Sequence, residues 1–79
     1  MTYNKKKIAQ ELFDTAQGIS YYGNALYVAR DIPGITDIEK DFLEKCLIKG
    51  VITFEDRIEL QNLSIKIRSM SKSTTTYLK

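Results

Sequence analysis

The stretch from Thr53 to Met70 constrains the fold more than any other, because its apolar residues form two stripes where a surface helix has one. At about 100° per residue, one group of apolar residues falls within about 40° of arc and the other lies on the opposite side. The first stripe comprises Phe54, Ile58 and Ile65, and the second comprises Leu60, Leu63, Ile67 and Met70. One stripe is sufficient to close the core of a small helical domain. The other then needs a second partner, from this chain or from another.

Length and cysteine content limit how the fold is stabilised. A chain of 79 residues makes one domain with a thin core. Small domains compensate with disulfides, a metal or oligomerisation. The single cysteine, Cys46, excludes an intrachain disulfide, and with no histidine the usual zinc ligand sets are missing. The sequence therefore predicts no metal and no cofactor, and it favours self-association or docking on a larger protein.

Charge and hydropathy limit the partners and the compartment that the sequence suggests. The formal net charge of +2 is too balanced to indicate nucleic acid by itself. No apolar run approaches the roughly 18 residues needed to cross a bilayer, so we expect no membrane insertion. The first residues do not form a signal-peptide core, and an unpaired thiol suits a cytoplasmic protein. The abundance of Lys, Ile, Thr, Tyr and Asn is typical of AT-rich genomes, which favours a small phage or bacterial accessory protein.

The N-terminal part predicts one long helix or two shorter ones. A helical face begins after Asn4 and comprises Ile8, Ala9, Leu12, Ala16 and Ile19. Its stripe continues in register through Tyr22 and Leu26, so one long helix could reach Arg30. Glycine costs about 1 kcal/mol inside a helix, and Gly23-Asn24 is typical of a turn. We therefore predict a break near Gly23, with Ala25 to Arg30 as a second, short helix.

The next helix has the clearest boundary signals. Pro33 and Gly34 predict a turn, and Thr36 with Glu39 forms a capping box. Gly50 stands where the helix should stop. We expect its buried face to contain Ile38, Phe42 and Cys46, extended by Leu43 and Leu47.

These patterns predict an all-α fold, a small bundle of three to four helices with a helix-turn-helix-like C-terminal half. The domain should span residues 1–70, followed by a flexible Ser/Thr-rich tail at 71–79. One alternative concerns Leu63 to Ile67, where apolar and polar residues also alternate as in a half-buried strand. Helix is favoured because Phe54, Ile58 and Leu60 extend the helical pattern upstream.

The residue types and their spacing do not indicate a catalytic site. There is no Ser-His or Cys-His pair, no glycine-rich phosphate loop and no metal-binding spacing. Cys46 lies in an apolar stripe with no histidine to activate it. We therefore predict that the protein is not an enzyme.

DNA binding is the alternative function. The order helix, short glycine-containing turn, helix over Thr36 to Met70 is loosely similar to the bihelical DNA-binding units of bacterial regulators. That resemblance implies a regulator whose basic residues contact phosphates. The candidates are Lys5, Lys6, Lys7, Arg57 and Arg68. The resemblance fails where bases would be contacted, because the start of the last helix carries Glu55 and Asp56, which repel phosphates.

Protein binding is the function that the sequence favours. We expect a non-enzymatic accessory or regulatory protein that self-associates or docks on a larger host protein through an apolar helix face. The predicted contact residues are Leu60, Leu63, Ile67 and Met70, with Tyr21 and Tyr22 as further candidates. If both stripes of the last helix are internal, the tyrosines become the next candidates.

Overall fold

The computed structural model describes residues 4–50 and 52–76, including the side chains of residues 4–50 and 52–70. Within these ranges the chain forms four helices and no strand: α1 (Lys5–Ala16), α2 (Gly23–Ala29), α3 (Asp37–Lys49) and α4 (Phe54–Thr76). The predicted all-α bundle is confirmed, and the strand alternative is wrong. Helix α4 continues past Met70 to Thr76. The flexibility predicted for residues 71–79 stays a prediction, and 77–79 lie outside the described residues.

The N-terminal segment is two helices, and the connection between them ends just before Gly23. The side chain of Asn4 accepts the N–H of Lys7 and begins α1. The helix ends in a Schellman motif, with the N–H of Ile19 bonded to Asp14 O and that of Gly18 to Thr15 O. Gly18 supplies the positive φ of +78° that this motif requires. Residues 17–22 are therefore the connection, and Gly23 is the first residue of α2.

The later helix ends follow the local signals. Thr36 Oγ1 accepts the N–H of Glu39 at 3.1 Å, and Glu39 Oε1 accepts the N–H of Thr36 at 2.9 Å. The predicted capping box is confirmed. Gly50 ends α3 with a φ of +69°. The start of α4 repeats the box, since Thr53 and Asp56 bond each other's backbone N–H at 3.1 and 3.2 Å.

Helix α4 lies between α1 and α3. Its contact with α1 is the most extensive between any two helices. Arg68 donates to Gln10 at 3.2 Å, and the Arg57 guanidinium lies against Gly18 just beyond the end of α1, so the two helices are antiparallel. Ion pairs fix α3 along the other side of α4 by joining Lys49 to Asp56 and Glu39 to Lys66, while α2 packs on α3 and α1.

One core lies between the four helices and the loop that precedes α3. It comprises Ile8, Ala9, Leu12, Ala16, Ala25, Leu26, Ala29, Ile32, Ile35, Leu43, Cys46, Leu60, Leu63 and Ile67. Two predictions about its members are wrong. Ile19 is 69% exposed because α1 ends before it, and Ile38 is 82% exposed because α3 turns Leu43 and Cys46 inward. Phe42 and Leu47 are partly buried against the core, as residues at the edge of that face.

The ion pairs of Glu39 and Asp56 make stability depend on acid pH. Burial by itself would raise the pKa of Glu39, but hydrogen bonds from Lys66 and the Thr36 N–H, with the charge of Lys66, leave its pKa below the ordinary 4.5. The hydrogen bond from Lys49, then the bonds from Thr53, lower the pKa of Asp56 below 3.8. Because both carboxyls bind protons less readily in the folded state, their stabilisation is complete above about pH 4.5 and is lost as the pH falls through their folded pKa values.

We therefore expect the urea midpoint to fall as the pH is lowered below about 4.5. The double variant Glu39→Gln, Asp56→Asn should be less stable at pH 7 and should lose less stability on acidification. Asp41→Asn is the control, since this exposed carboxylate forms an ion pair with the exposed Lys45 on the same helix. An acid response in the double variant as large as that of the parent protein would contradict the assignment.

Candidate protein-binding surface

The stripe predicted to bind a partner lies in the core. Leu60 and Ile67 are 0% exposed and Leu63 is 3% exposed. Met70 is partly buried against the core, and its sulfur approaches Gly34 so closely that a Cβ there would lie 3.0 Å from it. The prediction that these four residues form the spare face of the helix is therefore wrong. They close the bundle against α1 and its neighbours.

The opposite stripe of α4 is the one that faces solvent. Phe54 is 75% exposed, Ile58 46% and Ile65 63%. We call these three residues the outer stripe. Large apolar side chains scattered singly on a surface are ordinary, whereas three on one face of one helix form a candidate contact surface.

The outer stripe has edges of opposite charge. Arg57 and Arg68 line the edge that borders α1, as their contacts with Gly18 and Gln10 show. Glu55 and Glu59 are exposed on the edge toward α3. Lys66 also lies on that edge, but it forms the 2.8 Å ion pair with Glu39. The surface therefore consists of an apolar stripe with a basic side and an acidic side.

The two candidate tyrosines are placed differently from each other. Tyr22 is partly buried against the core. Tyr21 is 44% exposed, but its hydroxyl donates to the Cys46 carbonyl at 3.1 Å and so ties the 17–22 connection to α3. Burial, with a smaller contribution from Cys46, raises the pKa of Tyr21. Both tyrosines therefore contribute to the fold, and their role in partner binding stays a prediction.

Cys46 has the environment of a structural thiol. It is fully buried, and burial followed by the nearby Asp56 charge raises its pKa from 9.0 to about 11. Because the thiolate is the reactive form and a raised pKa lowers its population at neutral pH, Cys46 is far less reactive than an ordinary exposed cysteine. Among the described residues no group of acidic or cysteine side chains is arranged to hold a metal ion.

A cleft of about 250 Å³ lies between the 17–22 connection and the turn that precedes α4. Its lining residues are Thr15, Gly18, Ser20, Tyr21, Gly50, Ile52 and Arg57. Helices α1 and α3 both end beside it, and the carbonyl groups at helix C-termini disfavour anions. Arg57 at this position instead complements the dipole of α1.

The basic residues proposed for DNA binding do not form one cluster. Lys5, Lys6 and Lys7 lie at the start of α1, while Arg57 lies beyond its other end. A helix of twelve residues separates them by about 18 Å. Ion pairs near both ends of the α3 and α4 pairing hold these helices side by side, whereas a DNA-binding helix pair crosses at about 90–120°. DNA binding stays a prediction, and no feature of the described residues favours it.

Sequence reasoning identified the outer stripe but assigned it to the core. One signal could have separated the two stripes. The buried stripe has Leu60, Leu63, Ile67 and Met70 at successive spacings of three, four and three residues, so it is continuous over three turns. The outer stripe has a polar residue, Gln61, between Ile58 and Ile65. The continuous stripe buries more apolar area per turn and is favoured in the core.

Comparisons with protein-family models, with curated proteins and with solved structures find no match to this chain. Within the described residues, no helix combines the length and the apolar character needed to cross a membrane.

Proposed function

We propose that this protein is a non-enzymatic accessory or regulatory protein that binds another protein chain through the outer stripe. The observation that carries the proposal is the exposure of Phe54, Ile58 and Ile65 on a helix whose opposite stripe already closes the core. A helix face of this kind binds a groove or a second helix through anchors about one and two turns apart. Covering Phe54 alone would remove a large aromatic surface from water.

The remaining surface agrees with a binding role. The charges of both edges lie at the rim of the stripe, where charged side chains select the orientation of a partner more than they raise affinity. We further propose that the protein acts in the cytoplasm, because Cys46 is an unpaired thiol in a buried site and such thiols are typical of reducing compartments.

Site-specific photocrosslinking in cells tests this function. A benzophenone amino acid in place of Ile65 should form covalent adducts with protein, because a bound partner would lie within reach of the outer stripe. The same group in place of Ile48 should form few, although Ile48 on α3 is 84% exposed. Mass spectrometry identifies the adducts, whether a second copy or a different protein.

The variant Ile58→Glu supplies the second arm of this experiment. It should remove the Ile65 adducts by placing a charge at the centre of the contact, whereas Ile48→Glu should leave them unchanged. Absence of adducts at Ile65, or equal yields at Ile48 and Ile65, would refute the proposed function.

A further inference from the structure

We propose that the partner of the outer stripe is a second copy of this chain, and that the two α4 helices pair in parallel across a two-fold axis along their length. This inference rests on the proposed function and specifies the partner. Three properties of the exposed face of α4 support it: its spacing, its charges and its central polar residue.

The spacing is that of a two-stranded coiled coil. Phe54, Ile58, Gln61, Ile65 and Arg68 follow one another at intervals of four, three, four and three residues. This alternation averages 3.5 residues and keeps a single seam on one side of a helix. Ile58 and Ile65 then occupy the a positions, where β-branched residues favour parallel dimers. The heptad positions d are Phe54 and Gln61, while Arg68, the next position of the series, bonds to Gln10 on the α1 edge and so is turned away from the seam.

The charged edges distinguish the two possible orientations. In a parallel pair, a two-fold rotation brings the basic edge of one α4 over the acidic edge of its partner. Arg57 of one copy then lies on the same side as Glu55 and Glu59 of the other. An antiparallel pair would bring basic edge against basic edge and acidic against acidic. Like charges in apposition disfavour that arrangement, so charge selects the parallel pair.

Gln61 supports pairing with a copy. It lies between Ile58 and Ile65 on the seam and is partly buried in the single chain. A two-fold axis along α4 would place Gln61 opposite its own equivalent. Because an amide both donates and accepts hydrogen bonds, two glutamines satisfy each other. One polar residue in an apolar seam is a recognised means of fixing register.

Disulfide trapping tests the partner and its orientation. In a parallel pair each seam residue meets its own equivalent, so Ile58→Cys and Ile65→Cys should each form a covalent dimer in a glutathione redox buffer. Ile48→Cys is the matched control and should stay monomeric. The native Cys46 does not interfere, because it is fully buried and little of it is thiolate.

Other outcomes overturn specific parts of the proposal. If covalent dimers form only when the Ile58→Cys and Ile65→Cys proteins are mixed, the pair is antiparallel and the parallel assignment is wrong. If neither variant, alone or mixed, forms a dimer, a second copy is not the partner. Adducts between Ile65 and a different protein would then leave the proposed function standing, whereas absence of all adducts would refute both.

Sedimentation equilibrium measures the strength of the pair. The unmodified protein should show a reversible monomer–dimer equilibrium. Ile58→Glu should raise the dissociation constant at least about a hundredfold, since each dimer loses two buried isoleucines. Ile48→Glu should leave it unchanged. If the unmodified protein stays monomeric at submillimolar concentration, the proposal is overturned.

Discussion

Replacing Leu63 by aspartate is expected to unfold the protein, whereas the same replacement at Ile65, two residues along the same helix, should leave the fold intact. Leu63 is 3% exposed and Ile65 is 63% exposed. The Leu63 variant loses about 1.5–3 kcal/mol of apolar burial and must also desolvate a carboxyl group, at a further cost of several kcal/mol. A chain of this length has roughly 4–12 kcal/mol of stability in total. Together, the lost burial and the desolvation equal most or all of this stability.

Circular dichroism with thermal melting measures this difference. We expect Leu63→Asp to lose most of its helical signal at 25 °C and to show no cooperative transition. Ile65→Asp should retain both the helical signal and the transition, because its carboxylate stays in water. A Leu63→Asp protein that remained folded and lost only its association would show that the buried stripe is the interface and would contradict the structure.

The helix ends could be predicted because their causes are local. A capping box needs only Thr36 and Glu39, three residues apart, and the αL residue at the end of α3 needs only Gly50. Interactions this close in sequence form in the same way whatever the rest of the chain does. A bundle of three to four helices could likewise be predicted from periodicity and turn residues alone.

The side of each helix that is buried could not be predicted with the same certainty. The two stripes of α4 are both apolar, and the stripe that enters the core is decided by how α4 packs on α1, which depends on contacts between residues distant in sequence. The same applies to Ile38, which fits the apolar pattern of α3 but lies outside the contact with α2 and α4. Ile19 differs, because the Schellman motif at Gly18 ends α1 before its stripe is complete.

For the same reason, the face of α4 that forms the candidate site could not be predicted from the sequence. A sequence shows that α4 has two apolar faces, and only the packing shows that Phe54, Ile58 and Ile65 form the one left in water. The charged edges were visible as two polar ribbons. Their positions in the bundle follow only from the contacts of Arg68 with Gln10 and of Lys66 with Glu39. These contacts place one ribbon beside α1 and the other beside α3.

Helix α2 provides the second prediction with a large effect, because it has little stability of its own. It contains seven residues, whereas isolated helices shorter than about 12–15 residues are marginal in water. Tyr22 at its N-cap makes no side-chain capping hydrogen bond. Its position is therefore maintained by packing, in which Leu26 is 0% exposed and lies in the same core as Leu12 and Leu43.

Replacing Leu26 by alanine should lower the free energy of unfolding by about 2–5 kcal/mol, since it removes buried methyl groups and leaves a cavity between three helices. The neighbouring Tyr27 is 55% exposed and lies under Arg30 at 5.0 Å, so Tyr27→Ala should cost less than about 1 kcal/mol. Urea unfolding measures both variants. An unchanged denaturant slope in Leu26→Ala would show that α2 unfolds together with α1 and α3, against which it packs. A loss no larger than that of Tyr27→Ala would mean that α2 is not part of the cooperative core.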